Sequence, residues 1–276
     1  MASPVGDSYS VESGKPIFGG WSGKVAHVWI ILGQSNASGR ADLSDAPIGT
    51  NPGPISGVNI FKRSTLTTGV GAWKPLTVSN NQYDLRGQFG SELQMMKMAA
   101  AKYYSSGDSS VHLIKIAKGG TSLAVDWADG SAIRNSVIND HLLPALSDLS
   151  NNFDVVKVHG VYWDQGEADA ETLSYSQNYQ ANLSDFIAAI RSAVGVSLLP
   201  FVVRRMNVSA AGLPYLSNVI AAQDAVASVD PNSHLTDEAW SHVGDNLHLD
   251  GAAQNNQGNV VFNLLESISS GFIHKA

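Results

Sequence analysis

The 276-residue sequence predicts an α/β fold in which a parallel sheet is sandwiched by helices. Apolar, β-branched runs alternate with segments of helical periodicity along most of the chain. The first run, residues 25–32 (VAHVWIIL), is apolar almost throughout rather than at every second position, as in a strand covered on both faces. No internal repeat or low-complexity linker divides the chain. One domain over residues 1–276 is therefore expected, with residues 1–22 as an extended N-terminal segment.

After the first strand, residues 58–62 make a short second strand. Residues 38–88 otherwise read as long Gly-, Pro-, Asn- and Ser-rich loops over one rim. In residues 90–106, Leu93, Met96, Ala100 and Tyr103 recur at helical spacing, and Met95, Met96 and Met98 read as helix packing. Residues 111–117 (VHLIKIA) form a strand, and 132–149 a helix interrupted near Pro144. Strands at 155–163 and 198–206 follow, with helices at 174–193, 214–227 and 251–269.

Composition removes several classes of function. The chain has 17 Lys and Arg against 24 Asp and Glu, a net charge of −7, and no run of basic residues. Neither nucleic acid nor an anionic membrane is an expected partner. No cysteine is present, which excludes disulfides and thiolate chemistry. No apolar run approaches the ~18 residues of a membrane span. The first residues lack a basic segment followed by an apolar one, so no signal peptide is expected in this chain and the protein reads as soluble. The compartment stays open, and action on extracellular glycans is compatible with the sequence.

In parallel sheets, ligands bind beyond the carboxyl ends of the strands. The segments leaving those ends are GQSNASGR, KGGTSLAVDW and DQGEADAE. Each has a plain structural reading: a polar turn, a tight turn, a solvated acidic face. Together with HVGDNLHLD near the C-terminus they suggest one chemistry. A serine hydroxyl becomes a nucleophile when an imidazole takes its proton and a carboxylate fixes the imidazole. Ser35 follows a strand at a sharp turn. Asp245 and His248 are three residues apart, which on a helical turn puts both on one face. The backbone N–H of Ser35, a backbone N–H of the Gly119-Gly120 turn and the Gln165 amide can serve a developing oxyanion. A zinc reading of His242 and His248 lacks converging ligands, and no metal or cofactor is expected.

These residues resemble the blocks of the SGNH (GDSL-like) hydrolases, in the branch of sialate O-acetylesterases and acetyl xylan esterases. GQSN with Ser35 is similar to the nucleophile block, and GGTSL with Gly119 to the glycine block. QGEAD, from Gln165, is similar to the third block, and DNLH, ending in His248, to the last. The four stand in family order over residues 33–250. The resemblance implies a three-layer α/β/α sandwich and cofactor-free hydrolysis of O-acetyl esters on a carbohydrate. It implies Ser35, His248 and Asp245 as the triad and Gly119 as the oxyanion glycine, with Glu167 a rival for the triad acid. Asp164 departs from the aromatic or histidine frequent at that position in relatives.

Around this set, Asn36 and Arg40 are expected to brace the turn, Arg40 being also a candidate substrate contact. Trp127 and Trp73 are candidate sugar-stacking residues with core packing as the alternative. His27, His112 and His159 read as core or edge histidines, and His242 as a rival base. The competing functional readings are a general short-chain or lipid acyl esterase and a non-catalytic carbohydrate-binding module.

Overall fold

The computed structural model describes residues 23–48, 54–78, 80–81, 83, 87–207, 212–236, 238, 240–268 and 271–274. The expected extended segment at residues 1–22 lies outside them. The chain runs β1 (Val25–Gly33), α1 (Ser35–Ser38), β2 (Ala41–Asp42), β3 (Val58–Lys62), β4 (Ala72–Pro75), β5 (Gln88–Phe89) and α2 (Glu92–Tyr103). It continues through β6 (Ser109–Ala117), α3 (Ala132–Asn135), α4 (Leu143–Asn152), β7 (Val155–Asp164), α5 (Glu167–Ala170) and α6 (Leu173–Val194). Then come β8 (Phe201–Arg204), α7 (Leu216–Val229), β9 (Ser233–Thr236), α8 (Gly251–Ile268) and β10 (Phe272–His274).

The main sheet has the order β4-β3-β6-β1-β7-β8-β9, with β10 paired to β7. The strands from β3 to β9 in that order are mutually parallel, while β4 and β10 run antiparallel to their partners. β1 is central, which is why its sequence is apolar on both faces. Ala26, Val28, Ile30 and Leu32 enter the core under α4, α6 and α7, where Leu146, Phe186 and Val226 meet them. Trp29 and Ile31 enter the core under α2 and α8, with Met95, Met96 and Leu265. The result is a three-layer α/β/α sandwich.

The register positions the site. Gly33 is level with Ala117 on one side and Asp164 on the other. The segments that follow these three strand ends therefore emerge side by side, at the point where the strand order turns outward in both directions. Gly33 is required there: a Cβ would lie 2.1 Å from the Asp164 carbonyl oxygen. In its absence the Gln34 N–H donates to that same oxygen at 2.9 Å.

Several elements differ from the sequence expectation. The helix near Pro144 is not broken; it passes through a π-helical stretch, Ser136–Leu142, and continues. The wider turn absorbs the missing proline N–H and the clash of its ring with the preceding turn. The strand expected at 198–206 shortens to β8, with Leu198 44% exposed. β4, β9 and β10 were not foreseen, being short edge or end strands with little alternation. Glu92, in the first turn of α2, is fully buried and pairs with Lys115 at 2.7 Å. Lys115 also donates to the Ser38 carbonyl at 2.8 Å, tying β6 to α1. Among the described residues no helix is long and apolar enough to cross a membrane.

His27 and His159 share a hydrogen bond, Nδ1 to Nε2 at 2.9 Å, inside the sheet. Burial, then the neighbouring His159 and Lys157, lowers the His27 imidazole to about 3, and burial lowers that of His112 to about 4. The unfolded chain takes up these protons near ~6.5 while the folded chain refuses them, so stability is lost as pH falls below that value. The urea midpoint is expected to drop between pH 7 and pH 4.5, less steeply in His112→Gln. An identical slope in the variant would contradict this account.

Candidate active site

Ser35 opens α1 directly beyond β1 and is 4% exposed. The turn is closed by Ser38 N–H to Gln34 O at 2.8 Å and Gly39 N–H to Ser35 O at 2.9 Å. As the first residue of a helical turn, Ser35 has a backbone N–H with no intrahelical acceptor. Beside it, the Lys118 N–H donates to Gly33 O at 3.1 Å and carries the β6 ladder one residue further. Gly119 then lies against the Ser35 turn: a Cβ there would be 3.5 Å from Ser35 Cβ and 2.5 Å from Arg40 Nη2. At Gly120 a Cβ would meet nothing within 4 Å. Gly119, rather than Gly120, adjoins Ser35, and the Arg40 guanidinium packs over it.

His248 and Asp245 come from the segment before α8. The helical turn expected for their spacing is absent. His242 and Leu249 instead form an antiparallel bridge, with Asn246 at φ 56° in the turn between them. The Val243 N–H donates to His248 O at 2.8 Å. Asp245 supplies the order that a helix would have given: its Oδ1 accepts the N–H groups of Leu247 and His248, each at 2.9 Å. Its Oδ2 lies 2.6 Å from His248 Nδ1, and His248 Nε2 lies 2.9 Å from Ser35 Oγ.

Burial would raise the Asp245 carboxyl, but the His248 backbone N–H, the His248 ring and the Leu247 N–H outweigh it and hold it at about 2. The side chains of His248 and Asp245 are 21% and 47% exposed, so the pair adds little to fold stability. It is ordered for another reason.

Gln165 follows β7 and is completely buried. Its Nε2 lies 2.6 Å from Asp169 Oδ2, 3.1 Å from Thr121 O and 3.2 Å from Gln34 Oε1, while its Oε1 accepts from the Tyr179 hydroxyl at 3.0 Å. Two hydrogens thus face three acceptors, a commitment that the sequence did not suggest. Asp169 also accepts the N–H groups of Leu123 and Ala124 at 2.7 and 3.0 Å, fixing the glycine loop to the start of α5. Its place four residues after Gln165 was the available signal.

Other residues go elsewhere. Glu167 Oε1 accepts from Asn36 Nδ2 at 2.8 Å and from Arg204 Nη2, and Glu167 makes no hydrogen bond to His248. Trp127 is fully buried, donates to Thr121 Oγ1 at 2.9 Å and meets Trp163 edge-on, so it packs the core instead of lining a sugar site. Trp73 stands on edge strand β4 against Phe61 and His112. His112 is five residues before the Ala117 strand end, so Trp73 packs on the sheet well back from Ser35. His242 forms no hydrogen bond to Ser35, and its Nε2 is buried without a partner. Among the described residues no three His, Asp or Glu side chains converge as a metal cage requires.

A serine, an imidazole and a carboxylate thus stand in line at the carboxyl edge of a doubly covered parallel sheet. Residues 25–266 match the family of carbohydrate esterases described as sialic acid-specific acetylesterases, and the chain belongs to it. It is a carboxylic ester hydrolase of the carbohydrate acetylesterase group. No curated protein matches the chain in sequence. Among solved structures it is similar to a protein from Arabidopsis thaliana, with 19% identity, a TM-score of 0.67 and coverage of 87% of this chain and 98% of that one. NanS gives 13% identity, a TM-score of 0.66 and coverage of 90% and 98%. A carbohydrate acetylesterase from Xanthomonas citri gives 19% identity, a TM-score of 0.60 and coverage of 85% and 54%. At these identities the likeness is one of fold.

Proposed function

We propose that this chain is a serine esterase that removes acetyl groups from an acetylated carbohydrate through Ser35, His248 and Asp245. The carrying observation is the continuous contact Ser35 Oγ–His248 Nε2 at 2.9 Å and His248 Nδ1–Asp245 Oδ2 at 2.6 Å. His248 takes the Ser35 proton as Oγ bonds to the ester carbonyl carbon. The C–O bond to the sugar then breaks, and the proton passes to the leaving alcohol. Water attacks the acetyl-serine, its proton goes to His248, and acetate departs with Ser35 restored. Asp245 keeps Nδ1 protonated and faces the transient imidazolium.

The backbone N–H groups of Ser35 and Gly119 are the first oxyanion donors. Gln165 is the third: one hydrogen stays on Asp169, while the other, shared between the two longer contacts, is the one to turn. Gln165→Ala is expected to lower kcat about 10²–10³-fold with little change in KM. A change in KM alone would instead mark a substrate-binding role.

Asp245, held at about 2, stays ionised from pH 5 to pH 8. Loss of activity on acidification in that window therefore reports a group other than the Asp245 carboxyl, and is expected because a protonated imidazole cannot take the Ser35 proton. A flat profile from pH 5 to pH 8 would contradict imidazole base catalysis.

The acyl group is short on this reading, in keeping with Gly119 and the Arg40 guanidinium packed over it beside Ser35. Acetate release from acetylated sialate, xylan and peptidoglycan, beside an acetyl-to-octanoyl ester series, tests the assignment. Preference for octanoyl would favour the lipid acyl esterase reading.

A further inference from the structure

Beside the reacting line lies a second polar set that the chemistry does not touch. Asn36, Asp164 and Arg204 are 0% exposed and Glu167 2%. The Asn36 amide is engaged at both ends. Its Oδ1 accepts from the Leu249 N–H at 2.9 Å, and its Nδ2 donates to Leu247 O at 3.2 Å and to Glu167 Oε1 at 2.8 Å. Leu247 and Leu249 flank His248. One side chain, next in sequence to the nucleophile, therefore grips the base's backbone from both sides. Both ends of the amide have chemically matched partners, which fixes its orientation.

The loop needs such a grip. Residues 241–248 form no helix; the small cluster of Trp240, Leu249 and Ala253 flanks them, and within them half-buried Leu247 packs against the core under α4, α6 and α7. Glu167 is held in turn by Arg204, whose Nε donates to Asp164 Oδ1 at 2.6 Å; Tyr162 OH donates to Asp164 Oδ2 at 3.0 Å. The position demands one acceptor and two donors at once, which an amide supplies. An aspartate there would set a carboxylate against Glu167 and a carbonyl.

We propose that Asn36 is a positioning residue that sets the distance between Ser35 and His248 by clamping residues 247 and 249, and that Glu167, fixed by Arg204 and Asp164, orients its amide. This rests on the serine-esterase reading. Asn36→Ala, Asn36→Asp and the double variant Asn36→Asp/Glu167→Gln are compared with wild type. The readouts are kcat and KM on an aryl acetate and the second-order rate of Ser35 modification by a fluorophosphonate. In the double variant two buried carboxylates no longer face each other: the amide at position 167 donates to the carboxylate at position 36, and Arg204 keeps its bond to Asp164.

Asn36→Ala is expected to lose about 10–10² in kcat, the scale of a small misplacement, with an equal loss in labelling rate and KM within about twofold. Asn36→Asp is expected to be at least as poor, and the double variant to recover about tenfold over it. If Asn36→Ala does not fold, the comparison of Asn36→Asp with the double variant decides. Wild-type labelling by Asn36→Ala, a loss confined to KM, or a double variant no better than Asn36→Asp would overturn the proposal. A wild-type enzyme that turns over but is not labelled at Ser35 would instead overturn the serine-esterase reading beneath it.

Discussion

Ser35→Ala is expected to lower kcat by at least ~10⁴-fold while leaving the fold intact. The argument is chemical and steric together. Oγ is the atom aimed at His248 Nε2, and removing one small polar atom from a turn fixed by backbone bonds leaves Gly33, Gln34 and Gly39 their partners. Steady-state kinetics on an aryl acetate with circular dichroism of the variant measures it. Retention of more than a tenth of wild-type activity would remove Ser35 as the nucleophile.

Asp245→Asn is expected to cost about 10³–10⁴ in kcat. On the proposed mechanism the carboxylate has two jobs. Oδ2 faces Nδ1 and selects the tautomer that leaves Nε2 free to accept a proton, and its charge stabilises the imidazolium. An amide can present an N–H to Nδ1 and favour the wrong tautomer. Because Oδ1 also accepts two backbone N–H groups, some loss of loop order adds to the effect. Glu167→Gln is expected to cost less than about tenfold, since its Oε1 faces Asn36 and Arg204 and the substitution keeps an acceptor there. Kinetics of both single variants and their double decide. If Glu167→Gln is the more damaging, Glu167 rather than Asp245 is the acid that serves His248.

The framework of this site was readable because its signals are local. A two-face apolar run that stops at Gly-Gln-Ser marks a central strand and what it presents. Glycine at 33 is dictated by an approach of main chain to main chain, and the D-x-x-H spacing survives although a bridged turn replaces the helix. What could not be read is what depends on distant partners. Ser35 and His248 are 213 positions apart, and Asn36 reaches Leu249 over the same separation. Nothing near Arg204 in the sequence says that a buried guanidinium at a strand end will meet Asp164 and Glu167. Trp127 shows the limit from the other side: next to a glycine loop an aromatic residue is equally good for a sugar or a core, and the neighbouring Trp163 and Phe186 decide for the core.

The most direct test of the account is covalent. The full chain is treated with a fluorophosphonate, its residual esterase activity followed, and the modified residue mapped by peptide mass spectrometry. The prediction is one equivalent on Ser35, with activity falling in step with labelling and no labelling of Ser35→Ala. Full activity with Ser35 completely modified, or complete inactivation with Ser35 untouched, would contradict it.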